Sequence, residues 1–385
     1  MWGMYDVPGY VRNLFNVPVI AYSGELDKQI QAARVMEEAY LHHGRRLTHI
    51  IGPGMGHSYH KDSLADILSR LAEAVDRGQA ARPTHVHLQT RTLRYNKVHW
   101  VQALRLEHHW QEARIDARII PNQKPVVEVT TQNVTMLELT PFEDMYAATI
   151  SVNGRSVKPP GVLKLKAPAR AILSKGSDGE FHWLQKATAD GLAKRHGLQG
   201  PIDDAFLSPF LVVVPSGTSS NPLAERWVGF ELDHFLHRWE SLYRGHARVK
   251  PDKDVTAEDI QQYNLVLWGT PDSNSLIHRL TSLGPRDGNH ALPIQWSDQV
   301  LQLGNQQYDA STQMPILVYP NPLNPDRYVV INSGPTHREG HDRTNSLQNP
   351  KLLDWAIIDM SQLPDRESAG KLLGTGLFDE SWQLR

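Results

Sequence analysis

Asp27 and His57 are the residues of this chain whose types and settings best suit chemistry. Asp27 lies in the turn Ser23-Gly24-Glu25-Leu26-Asp27, which ends a short apolar run from Val17 to Tyr22. His57 follows a second run, Leu47 to Ile51, across Gly52, Pro53, Gly54 and Gly56, and these residues allow a turn tight enough for an imidazole to protrude. An acid after one strand and a histidine after the next form the second half of a Ser–acid–His triad in which the nucleophile comes first in the chain. In a triad the imidazole takes the nucleophile's proton, and the carboxylate orients the imidazole and stabilises its cation. Glu25 is the weaker candidate for the acid.

The nucleophile is harder to find. Gly56-His57-Ser58-Tyr59-His60 begins like a nucleophile elbow, so Ser58 is the first candidate. Its fifth position is His60 rather than glycine, and a bulkier residue there crowds the strained turn that exposes the serine. With His57 as the base, its chain neighbour Ser58 is also poorly oriented to be the nucleophile. Ser216, Ser219 and Ser220 lie on a strand-to-helix loop but lack the flanking glycines.

The elements that must position Asp27 and His57 follow from periodicity. Val17 to Tyr22 and Leu47 to Ile51 read as buried strands. Between them, Ile30, Ala33, Val35, Met36 and Tyr40 give Gln29 to His43 a helical face, which Gly44 stops. After His57, the segment Asp62 to Val75 places Leu64, Ile67, Leu68, Leu71 and Val75 at helical spacing, with Asp62 or Ser63 as cap. Residues 1–82 thus form a β-α-β-α unit with two parallel strands joined by a right-handed crossover.

The period then changes. Residues 84–175 alternate in short β-branched runs, with a hairpin signal at Asn153-Gly154, and predict a small antiparallel β-sandwich with Trp100 and Trp110 in its core. Residues 181–203 read as a connector. Residues 204–385 return to α/β: a Rossmann-like domain with a mostly parallel sheet, including short strands at Leu292 to Trp296, Ile316 to Tyr319 and Tyr328 to Asn332. Its strand ends carry Ser216, Thr218 and Ser219, then Asp272, Ser273 and Asn274, then Ser333 and Thr336. Open α/β sheets bind ligands at that edge, so these are the candidate ligand-binding residues. None of the loops matches a dinucleotide fingerprint or a Walker loop, and no cofactor is expected.

Composition narrows the classes. A net charge of −2 gives no electrostatic footprint for nucleic acid or an anionic membrane surface. No apolar run approaches the ~20 residues that cross a bilayer. The chain has no cysteine, which excludes disulfides, thiolate metal sites and cysteine nucleophiles and leaves the compartment open. The segment MWGMYDVPGYVRNLF lacks the basic-then-apolar pattern of a signal peptide. The 19 histidines are scattered; His234 and His237 could share a helix face, but no metal site is expected.

Val17 to His60, with GELDKQ at the acid and GMGHSYH at the histidine, resembles the end of the catalytic domain of prolyl-oligopeptidase-type α/β-hydrolases. With GLQGPIDDAF (Gly197 to Phe206), NLVLWGTPDSN (Asn264 to Asn274) and NSGPTHRE (Asn332 to Glu339), the whole chain resembles the C-terminal part of large bacterial hydrolases of that type. The resemblance implies a partial α/β-hydrolase unit followed by a β-rich segment and a further α/β domain. It makes Asp27 the acid and His57 the base, and it implies a small ester or peptide substrate. The family's serine, in a Gly-x-Ser-x-Gly turn, has no match here. Two activities follow as expectations: ester or amide hydrolysis of the serine-hydrolase type, or a non-catalytic ligand-binding protein derived from such a hydrolase. Two strands leave edges unpaired, so residues 17–51 are expected to pair with the downstream domains or with a second copy.

Overall fold

The computed structural model describes residues 3, 6–80, 82–159, 169–187, 191–283, 291–342 and 347–385. The chain is mixed α/β with several sheets. It forms two compact units, Trp2–Thr188 and Ala189–Arg385.

In the first unit, strands Ile20–Gly24 and Thr48–Gly52 pair in parallel around helix Ile30–His42, and helix Lys61–Arg77 follows. The stripe that periodicity assigns to the face of the second helix is not covered: Leu68, Leu71 and Val75 are exposed. Two strands are too little sheet to bury it. The strands after residue 84 make two five-stranded sheets. All pairings in them are antiparallel except Val126–Gln132 with Thr149–Val152. Strand Ala113–Ile120 shows why they hold together, since every second residue is buried. Val86, Ile115 and Val127 from one sheet share a core with Val101, Leu137 and Leu173 from the other. Trp100 joins that core as expected, its indole donating to the Pro83 carbonyl at 2.8 Å. Trp110 does not. It has a φ of 66° at a corner and is only half-buried.

Strand His85–Thr90 lies at a sheet edge, where bare N–H and C=O groups invite another chain. The segment Val7–Asn16 covers it with side chains. Asn16 donates to the His87 carbonyl (2.7 Å) and accepts the His87 N–H (2.9 Å). Asn13 does the same at Gln89, at 2.7 and 2.8 Å. Two asparagines thus stand in for a neighbouring strand. Arg12 adds a bidentate pair with Asp116. Asn16→Ala should lower unfolding free energy by roughly 1–3 kcal/mol, because it strands a partly buried N–H and C=O. A urea midpoint unchanged from wild type would contradict this account of the edge.

The second unit is built on a seven-stranded sheet, in the order Val249–Pro251, Phe210–Val214, Asn264–Leu267, Asn324–Ile331, Gln313–Asn321, Trp355–Asp359, Lys371–Gly376. Three of the six pairings are parallel and three antiparallel, so the sheet is mixed rather than mostly parallel. For one of the antiparallel pairings the reason is local. Gln313–Asn321 and Asn324–Ile331 are joined by a short turn in which Asn321 accepts the Leu323 N–H, and a connection that short can only reverse the chain. The strand expected at Leu292 to Trp296 forms over Ile294–Trp296 but belongs to a separate three-stranded antiparallel sheet. Helices begin on side-chain caps: Asn221 for Pro222–Tyr243, a Thr256/Asp259 capping box for Ala257–Gln262 and Asn274 for Ser275–Ser282.

Candidate functional site

The ends of the two parallel strands bring Asp27 and His57 together. His57 Nδ1 lies 2.9 Å from Asp27 Oδ2. The Asp27 side chain is 12 % exposed and the His57 side chain 78 %, so the carboxylate is sheltered and the imidazole stands out. The Gln29 backbone N–H and the His57 hydrogen bond hold the Asp27 carboxyl below its ordinary range. Its charge fixes a proton on Nδ1 and leaves Nε2 as the acceptor, which is the tautomer a general base needs.

The turn is shaped by glycine and braced by tyrosine. A Cβ at Gly24 would collide with the carbonyl oxygens of Met55 and Gly56, so the acid turn and the histidine turn can meet only with glycine there. Gly54 has a φ of 65°, and its N–H donates to the Glu25 carboxylate at 2.8 Å. Glu25 is therefore a brace of the turn and Asp27 the partner of the imidazole. Tyr22 spans the same turn: its hydroxyl donates to the Ser58 carbonyl (3.0 Å) and accepts the His60 N–H (2.8 Å), and its ring stacks on Tyr59. Tyr22→Phe keeps the stack and removes both bonds, so the turn should loosen by about 1–2 kcal/mol. Amide exchange at His60 should accelerate about tenfold or more, and unchanged exchange would contradict the bracing role.

Ser58 is exposed, and its hydroxyl makes no hydrogen bond with His57 among the described residues. A second constellation was not singled out in the sequence. Ser23 Oγ lies 3.1 Å from His49 Nε2, and His49 Nδ1 lies 3.1 Å from Glu37 Oε2. This is a serine, an imidazole and a carboxylate in relay order. Ser23 and the His49 side chain are buried, however, and Glu37 comes from the helix packed over the strands. The Ser23 hydroxyl and His49 Nε2 pair between strand and helix, whereas His49 Nδ1 faces the Glu37 carboxylate without forming a hydrogen bond. No residue pattern announces it, because it depends on strand register.

In the second unit the expected ligand loops cross-link one another. The Asp272 carboxylate accepts the Ser220 N–H (2.6 Å), the Thr270 hydroxyl and the Ser219 hydroxyl. Ser273 accepts the Thr270 N–H, and buried Asn274 caps the following helix while donating to the Trp268 carbonyl. Ser216 presents its N–H to Asp252, and of this group Ser216, Thr218 and Asp272 are exposed. Ser333 and Thr336 lie elsewhere, on a cleft between the helix Pro222–Tyr243 and the loop after Ile331. The Thr336 hydroxyl donates to Asp203 at 2.6 Å and accepts the Lys351 N–H at 2.7 Å.

Burial pushes the Asp203 carboxyl up to about 6. That lies above its unfolded value of ~3.9, so the folded chain keeps a proton that the unfolded chain has released. Stability from this group is full below about pH 4 and is lost as pH rises through about 6, a change of roughly 2–3 kcal/mol. Asp203→Asn should flatten that interval in urea midpoints compared with wild type, and parallel curves would contradict it.

Among the described residues no group of His, Asp and Glu could hold a metal, and no helix is long and apolar enough to cross a membrane. Comparison of the chain with protein-family models, with curated proteins and with solved structures gave no match.

Proposed function

We propose that the chain carries the acid and base of a serine-hydrolase-type site, with Asp27 orienting His57 for hydrolysis of a small ester or peptide. The observation that carries this reading is the 2.9 Å contact between a sheltered carboxylate and an imidazole whose other nitrogen faces outward. The supporting frame is a parallel strand pair whose carboxyl ends carry acid and base on successive turns, as in the prolyl-oligopeptidase-type α/β-hydrolases that Val17 to His60 resembles. On this reading residues 1–82 are part of an α/β-hydrolase domain, 84–175 a β-sandwich-like domain and 204–385 a Rossmann-like domain. The attacking serine comes to the outward side of His57: Ser58 after a shift of its turn, or a serine from another chain paired along the free edges of residues 17–51.

The test is hydrolysis of a p-nitrophenyl ester by wild type and by Asp27→Asn. The amide can leave the proton on the wrong imidazole nitrogen, so the rate should fall by about 10²–10⁴-fold. Equal rates would remove the acid from the mechanism. A second reading, a ligand-binding protein without catalysis, is favoured by the lack of a hydrogen bond between the Ser58 hydroxyl and His57 among the described residues; a stable protein with no hydrolysis that binds a saccharide or peptide at the 215–222, 269–275 and 333–339 loops would support it.

A further inference from the structure

Strand His85–Thr90 carries a buried imidazole, His87, around which three other elements close. Its Nδ1 meets Asp116 Oδ1, directly opposite on strand Ala113–Ile120. Its Nε2 lies 3.1 Å from Nη2 of Arg45, in the loop that leads into strand Thr48–Gly52. Phe15, from the covering segment Val7–Asn16, stands perpendicular to the ring with centroids 5.7 Å apart, and the Arg45 guanidinium lies 4.3 Å from the same Phe15 ring centroid. A guanidinium can only donate, so Nε2 must accept, and Nδ1 then carries the proton given to Asp116. His87 is therefore neutral in this arrangement.

His43, just after helix Ile30–His42, is held in the same way. Its Nδ1 lies 3.4 Å from Nη1 of Arg12, so it too accepts and is neutral. Burial, Arg12 and Arg114 hold its pKa below the ordinary value, and the neighbouring His42 acts in the same direction. Glu112 opposes them but is already paired with Arg114. The His85 ring lies 4.2 Å from that of His87, and burial and His87 lower its pKa, with Arg45 and Arg118 adding to the effect. Against these cations stands Asp116, which already meets Arg12 with both oxygens and His87 with one. Among the described residues no other carboxylate is bonded to His87, His43, Arg12 or Arg45. A proton on Nε2 of His87 or Nδ1 of His43 would therefore face a guanidinium at hydrogen-bond distance, which disfavours the charged ring.

We propose that His87 and His43 form an acid-sensitive latch on the covering segment Val7–Asn16. While both rings are neutral they accept from Arg45 and Arg12 and keep the segment and the Arg45 loop on the sheet. As they protonate, the guanidiniums are repelled and the segment opens, baring the edge of His85–Thr90. The hydrogen bonds fix the sign. The closed form binds fewer protons than the open one, so closure is strongest above the ordinary histidine value of ~6.5 and weakens as pH falls through it. The latch does not depend on the hydrolase reading.

The experiment is amide exchange of the full chain at about pH 7.5 and about pH 5.5, corrected for intrinsic exchange. It is read at the His87 and Gln89 N–H groups, which donate to Asn16 and Asn13 of the covering segment. Each histidine that closure keeps neutral should raise the opening constant about tenfold between those pH values. The double variant His87→Gln, His43→Asn supplies amide oxygens that accept from arginine and do not titrate, so its rise should shrink to about threefold or less. The reading is a ratio within one protein, so a variant that opens more at both pH values still tests the latch. Arg45→Met gives a second reading: with no guanidinium at Nε2, His87 protonates in place, and the rise should shrink severalfold. An opening constant equal at the two pH values in wild type, or one that rises as much in the double variant or in Arg45→Met as in wild type, would overturn the proposal.

Discussion

His57→Ala should reduce ester hydrolysis by about 10³-fold or more while leaving the fold intact. The His57 side chain is 78 % exposed, so its loss removes little buried contact. Its Nδ1 is held by Asp27 at 2.9 Å, which on the proposed reading leaves the other imidazole nitrogen to accept a proton from a nucleophile. Asp27 is ionised well below neutrality because the Gln29 N–H and His57 both favour its charge. An acid whose folded pKa is depressed contributes its ordering above its unfolded value and loses it as pH falls through the folded one. The pair should therefore hold together throughout the neutral range and come apart only in acid, below the ordinary carboxylate range. Thermal unfolding and circular dichroism of His57→Ala should match wild type; a variant that loses activity by unfolding would leave the catalytic role unsupported.

Lys194→Met should be the most damaging single substitution for the second unit. The Lys194 and Asp354 side chains are both fully buried, with Nζ 2.7 Å from Oδ2. Asp354 Oδ2 also accepts the Phe378 N–H at 2.9 Å, and Lys194 Nζ lies 5.0 Å from the Trp382 ring centroid. The pair thus ties the segment after residue 191 to the chain's last turns, where the Lys194 N–H donates to the Glu380 carbonyl. A buried pair is weak evidence of net stability, since both charges have left water. Breaking it is another matter, because a lone buried carboxylate remains. The expected loss is about 3–5 kcal/mol, or roughly 6–20 °C in Tm for a unit of this size. Adding Asp354→Asn to Lys194→Met should recover part of the loss, since no buried charge is then left unpaired. A double variant less stable than the single one would contradict this balance.

The sequence was most legible where one residue type has one use. Glycines before a histidine, an acid after a strand and apolar runs of strand length located the Asp27–His57 pair, and the contact between them is what triad chemistry requires. Period-two alternation located the strands after residue 84 as well, because the faces of Ala113–Ile120 differ so sharply in polarity. Pairing was less legible. Whether a strand joins in parallel or antiparallel depends on the connection, and the short Asn321 turn makes the pairing of Gln313–Asn321 with Asn324–Ile331 antiparallel. In the ligand loops composition showed the polar residues but not their partners. Ser219, Thr270 and Asp272 have the composition of a binding loop, yet their polar groups satisfy one another. The asparagines that cover the edge of His85–Thr90 and the relay of Ser23, His49 and Glu37 had no local signature at all. Each joins residues distant in the chain, or depends on a register that no short pattern encodes.

The central claim is that Asp27 and His57 activate a serine for attack. Labelling with a fluorophosphonate probe, followed by peptide mapping, tests it most directly in wild type, Asp27→Asn and His57→Ala. The account predicts one serine labelled in wild type and little or no label in either variant. No labelled serine in active wild-type protein, or a label at Ser23 that persists undiminished in both variants, would contradict it.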